Sequence, residues 1–127
     1  MKKAIVFVLA AVLVLCCIAS ASASTSFSWS GSTTSGFPRW GDDQTSSGAK
    51  WHIDWDSSSN ISSSRRAVVR ILSNGNYASS LFVYSTLSSN YHPYKDGYGY
   101  GLADTYIAGR LDDRDSGTLT VSGTFYN

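Results

Sequence analysis

Alternation with a period of two runs through much of this chain. Between residues 50 and 56, Trp51, Ile53 and Trp55 fall on one side, and Lys50, His52, Asp54 and Asp56 on the other. That is the signature of a half-buried strand, because successive side chains of a pleated strand point to opposite faces. The C-terminal run behaves the same way: Leu119, Val121 and Phe125 point in, while Thr118, Thr120, Ser122 and Thr124 point out. A one-residue slip would bury those hydroxyls, so the register is strongly specified. Residues 66–72 and 77–84 flank Asn74-Gly75, the pair that best tolerates the two positive φ angles of a type I′ hairpin turn. A second hairpin is expected between 105–111 and 118–126, across the polar turn 112–117. Phe27 and Trp29 mark a short strand, and residues 37–40 a further piece. The serine-rich stretches 30–35 and 57–64 read as loops. Six or seven short strands without a helical pattern predict an all-β fold, a small antiparallel β-sandwich. A small open barrel is the alternative.

The first residues follow another rule. Lys2 and Lys3 precede an apolar run from Ala4 to Ala19, and Ser20-Ala21-Ser22-Ala23 closes it. A positive start, a short apolar stretch and a small-x-small exit form a secretory signal peptide, residues 1–23. The run is too short for a spanning helix, which needs about 18 residues or more. Cleavage leaves a single domain, 24–127, of about 104 residues, expected to be secreted to the extracellular space with no stable membrane span. Cys16 and Cys17 are the only cysteines. Both go with the signal, so the mature chain has neither disulfides nor a cysteine-based zinc site. Leu15 and Cys16 match a lipid-attachment site poorly.

Composition narrows the function. Lys50, Lys95 and six Arg stand against nine Asp after cleavage, and that balance argues against a nucleic-acid partner. Glutamate is absent from the whole chain, which excludes a His-Glu-x-x-His zinc site. No Gly-x-Ser-x-Gly elbow is present to support nucleophilic catalysis. No cofactor or metal is expected. Four Trp and eight Tyr must supply much of the core of a domain this small.

Three groups of residues carry candidate chemistry. Lys50, His52, Asp54 and Asp56 share a strand face, where carboxylates and an imidazole can hold a cation or share acid–base work; a solvated strand face is the simpler reading. The turn Asp112-Asp113-Arg114-Asp115-Ser116-Gly117 has clustered aspartates, but its spacing does not fit a calcium loop and Arg114 would repel a cation. A hairpin turn with local Asp–backbone bonds explains it better. The third group lies in residues 91–101, a loop with Tyr91, His92, Tyr94, Tyr98 and Tyr100. Tyrosines offer a flat apolar face with a polar tip, so these five are candidate ligand-binding residues. The competing view is that the rings cover a core short of aliphatics. Asn60-Ile61-Ser62 also fits a glycosylation sequon.

Ser89-Asn90-Tyr91-His92-Pro93, the Lys-Lys signal ending in Ala-x-Ala, and the close Thr120-Val121-Ser122-Gly123-Thr124-Phe125-Tyr126 carry a resemblance. The chain resembles small secreted β-proteins of Gram-positive bacteriocin-type systems, and the first segment is similar to the Ser-Asn-Tyr-His of lactococcin-like bacteriocins. It departs from them in a longer mature part and in placing that segment late. The resemblance implies a β-sandwich that acts on the envelope of competing cells, at a cell-wall precursor, through Asn90, Tyr91 and His92. The expectation is a bacteriocin-like protein that binds a cell-wall component or glycan without catalysis. A small glycan-binding module using the Tyr-rich loop is the second reading, and a small hydrolase using Asp54 and Asp56 the third.

Overall fold

A computed structural model describes residues 23–99 and 101–127. The expected signal peptide, apart from Ala23, and the candidate Tyr100 lie outside these residues. Eight strands follow in order: β1 (Ser24–Gly31), β2 (Lys50–Trp55), β3 (Ala67–Ser73), β4 (Asn76–Tyr77), β5 (Phe82–Tyr84), β6 (His92–Pro93), β7 (Thr105–Leu111) and β8 (Leu119–Tyr126). The described residues contain no helix, so none is long and apolar enough to cross a membrane. The first sheet has the order β1-β8-β2-β6 and the second is centred on β3, with β7 along one side and β4 then β5 along the other. All pairings are antiparallel. The all-β expectation holds, with eight strands instead of six or seven.

Two differences account for the count. Residues 77–84, expected as one strand, are split by a bulge. The Ile71 carbonyl accepts from both Ala78 N (2.9 Å) and Ser79 N (3.3 Å), while Ile71 N donates to the Ser79 hydroxyl at 2.9 Å. Ser79 is fully buried, so its hydroxyl replaces the carbonyl that the ladder lacks there. The other addition, β6, falls inside the stretch read as a loop. Residues 37–40 form no strand, yet their backbone lines β7: Trp40 N donates to Ile107 O (3.0 Å) and Gly109 N to Pro38 O (3.1 Å). Gly41 bridges onward to Phe27 of β1. On the opposite side, Lys95 N donates to Ala78 O at 2.9 Å. These bonds join the two sheets along both margins and cover edges that would otherwise be open to pairing.

The second expected hairpin does not form: β7 pairs with β3 and β8 with β1 and β2, so the turn 112–117 carries the chain from one sheet to the other. The first turn is as expected. Asn74 and Gly75 take φ of 49° and 76°, the doubly positive pair of a type I′ turn. The inward residues of the two alternating segments also bury as expected: Trp51, Ile53, Leu119, Val121 and Phe125 meet Val69, Ile71, Ile107 and Leu111 of the other sheet in one core. Aromatics fill the space between the sheets. Trp40 stacks on Phe27 and Trp29 with ring centroids 5.8 and 5.7 Å away, and its indole covers Gly109, where a Cβ would collide with the ring. Gly109→Ala would overpack this site, at about 1–3 kcal/mol.

The serine-rich loop 57–64 is also ordered by β8. Its side chains act as a substitute strand: Asn60 Oδ1 accepts from Thr120 N (2.8 Å), Asn60 Nδ2 donates to Thr118 O (3.1 Å), and Ser59 Oγ accepts from Ser122 N (2.9 Å). The sequon amide is thereby tied into the fold.

Candidate binding face

The turn between β7 and β8 is occupied by its own ion pairs. Arg66 Nε and Nη2 donate to Asp115 at 3.0 and 2.7 Å, and Arg66 N donates to Asp115 Oδ2 at 2.7 Å. Arg114 forms the matching fork on Asp112, at 2.8 and 2.7 Å. Bidentate guanidinium–carboxylate pairs are among the stronger charged contacts. They hold both carboxyls below the ordinary carboxylate range, Asp112 through Arg114 and Asp115 through Arg66. Arg114 N also donates to Asp112 Oδ1 at 3.0 Å, a local turn bond of the expected kind. Asp112 and Asp115 are thereby spent on structure. Among the described residues no group of three His, Cys, Asp or Glu is placed to hold a metal ion.

The Tyr-rich segment divides between the two sides of the first sheet. β6 pairs with β2 so that Trp51 faces His92 and Lys50 faces Pro93. Period two then sends His92 and Tyr94 inward and Tyr91 outward. Tyr94 is a core residue, 8% exposed, and Tyr98 packs against the core. His92 sits 4.8 Å from Trp51 and 4.0 Å from Phe82, and shares a 2.8 Å hydrogen bond with the Tyr84 hydroxyl. Burial lowers the His92 pKa and raises that of Tyr84, because a drier site disfavours the charged form of each. Asn90 is exposed, and Tyr91 is the most open large apolar side chain among the described residues, at 66%.

Tyr91 lies against His52 on the outer face, with centroids 4.3 Å apart. On its other side His52 stacks on Tyr126 at 4.6 Å and 3°, following the register His52↔Tyr126. Three rings from β2, β8 and the lead into β6 therefore form one aromatic row on an open sheet. Asp54 borders it, 3.9 Å from His52 Nε2, and accepts a 2.6 Å hydrogen bond from Ser89. Beyond Asp54 the face is a grid of hydroxyls, in which Ser26, Ser28 and Ser30 stand opposite Thr124, Ser122 and Thr120. An open depression of about 680 Å³ lies over this part, with Asp56 among the residues lining it. Such a surface can stack an apolar ring face and hydrogen-bond hydroxyls around it.

Sequence reasoning named Tyr91, and weighed His52 and Asp54 as a separate charged face. Tyr126 was missed, although it continues the outward series Thr120, Ser122, Thr124. Tyr91 and Asn90 remain available to a ligand, while His92, Tyr94 and Tyr98 help build the sheet beneath them. No protein-family model matches this chain, and no curated protein or solved structure does either.

Proposed function

We propose that this is a secreted protein that binds a glycan of the cell envelope without catalysis, using the outer face of the β1-β8-β2-β6 sheet. The observation that carries the reading is the Tyr91–His52–Tyr126 row beside Asp54 and Ser89. Sugar rings have an apolar face that suits exposed aromatics, and equatorial hydroxyls that suit carboxylate and hydroxyl partners. The absence of chemistry is part of the proposal. Asp54 stands on an open sheet and is engaged by Ser89, whereas glycoside hydrolysis needs two carboxyl groups flanking the bond to be cut. The bacteriocin-like reading uses the same surface, since Asn90 and Tyr91 are exposed residues of the segment that resembles those proteins.

The test uses residues 23–127, which contain every strand and the whole described core. Retention on insoluble cell walls and on isolated polysaccharide is compared for wild type and Tyr91→Ala, with melting temperatures measured alongside. Loss of the Tyr91 ring is expected to weaken retention about tenfold, the scale of one aromatic contact, with no loss of thermal stability. Absence of wild-type retention, or equal retention by the variant, would overturn the proposal.

A further inference from the structure

The opposite side of the sandwich has a different chemistry. On the outer face of the second sheet, Val68, Arg70 and Leu72 of β3 stand opposite Arg110, Ala108 and Tyr106 of β7. Tyr77 of β4 and Val83 of β5 extend the same face beyond Leu72 and Val68. The Arg70 guanidinium lies 3.9 Å over the Tyr77 ring and 5.2 Å over Phe37, and Arg110 lies 5.4 Å over Phe37. Among the described residues neither arginine has an ion-pair partner. Arg110 donates to the Thr34 carbonyl at 2.7 Å, while Arg70 Nε is buried without a partner. No strand position on this face carries a carboxylate. Two cations without ion-pair partners therefore share this side, whereas on the other side Lys50 and Asp54 of β2 stand on one face together.

Apolar exposure is confined in the same way. Of the five large apolar side chains that stand open to solvent among the described residues, Tyr77, Leu81, Val83 and Leu87 lie in β4, β5 and the residues near them, with Tyr77 under Arg70. The geometry points to a docking surface for an anionic lipid bilayer. Arg70 and Arg110 meet headgroup phosphates, and Tyr77, Val83 and their neighbours enter the interfacial layer below. A bilayer offers both chemistries at the right depths: negative phosphates at the surface and apolar chains underneath, with aromatic rings favoured at the boundary. A soluble polyanion would use the cations and leave the apolar margin in water. Planar guanidinium groups already supported on aromatic rings lose less freedom on meeting phosphate.

The residues are separate from the glycan face, so each proposal fails independently. Residues 23–127 are sedimented with phosphatidylcholine vesicles, with and without phosphatidylglycerol, and are passed over immobilised dextran sulfate. Binding is expected on the phosphatidylglycerol vesicles, weakened by salt and much reduced on phosphatidylcholine alone. Arg70→Gln with Arg110→Gln should weaken it about twenty-five-fold, from a factor of about five for each arginine near a charged membrane. Val83→Asp should abolish it, and Tyr91→Ala should leave it unchanged. The double lysine variant, Arg70→Lys with Arg110→Lys, keeps the charge and should still bind, which separates a charge effect from damage to the fold. No vesicle binding, equal binding to both vesicle types, capture by dextran sulfate alone, or wild-type binding by the double glutamine variant would each overturn the proposal.

Discussion

The two outer faces of the sandwich are built on opposite plans. On the first sheet, every second residue of β1 and β8 is a hydroxyl or a tyrosine, exposed along β1 and exposed or half-buried along β8. On the second sheet the outward apolar residues of the central strand β3 are themselves covered: Val68 and Leu72 are only 4% and 7% exposed. A second layer of arginine and aromatic side chains lies over them, with Arg39 above Tyr106 at 4.4 Å, and Arg70 above Tyr77. The stems of those arginines shield apolar surface while their charged ends stay near water. A β-strand shows clean alternation only where one side meets solvent. The difference teaches that a cation–aromatic layer can turn a two-layer sandwich into something closer to three layers on one side.

Leu72→Ala is the sharpest way to break that contrast. If the second layer truly covers the sheet, removal of this outward side chain should cost about 2 kcal/mol or more in urea unfolding, as for a core residue. A loss of a few tenths would mean that the face is ordinary surface.

Acid should act next, at the turn where β7 of one sheet passes into β8 of the other. Asp112 and Asp115 are held below the usual carboxylate range by Arg114 and Arg66. Their unfolded value is about 3.9, so their contribution is complete above that pH and is lost as pH falls through the folded values. The unfolding midpoint should therefore drop below about pH 4, and Asp115→Asn should flatten that limb while weakening the protein at neutral pH. A milder change is expected earlier. His92 has a lowered folded pKa from burial, so the unfolded chain binds the proton more readily. Stability should decline as pH falls from about 6.5 through the folded value, and His92→Phe should remove that decline.

Thr120→Ala gives the smallest effect and completes the comparison. Thr120 is exposed and shares a 3.0 Å hydrogen bond with Ser30. Its loss should shift stability by no more than about 0.5 kcal/mol, measured under the same conditions as Leu72→Ala. A larger loss would mean that the hydroxyl grid helps hold the sheet together.

Much of the first sheet could be read in advance because its pattern and its environment agree. Trp51, Ile53, Val121 and Phe125 alternate with polar residues that do face water. The second sheet was harder. Residues 67–72 are apolar on both faces except at Arg70, so the pattern marked a strand without telling inside from outside. The split of residues 77–84 turned on one buried hydroxyl, Ser79, which is indistinguishable by type from the many serines around it. Residues 37–40 looked like a strand because Phe37 and Trp40 are large and apolar, yet they serve as a cover for β7 and a wedge between the sheets.

The candidate site was legible in part. Tyr91 stood out by composition, but so did Tyr94 and Tyr98, which face the core. Only the two-residue pairing of β6 with β2 sorts them, and nothing local marks His92-Pro93 as a strand. The sequence by itself determined the all-β class, the Asn74-Gly75 turn and the inward faces of β2 and β8, because these follow from dihedral preference and period two. Tertiary structure decided which tyrosines meet solvent, how His52 comes to lie between Tyr91 and Tyr126, and that Arg66 would reach Asp115. Those outcomes depend on partners far apart along the chain, and residue type alone does not say which side chains long-range pairing will bring together.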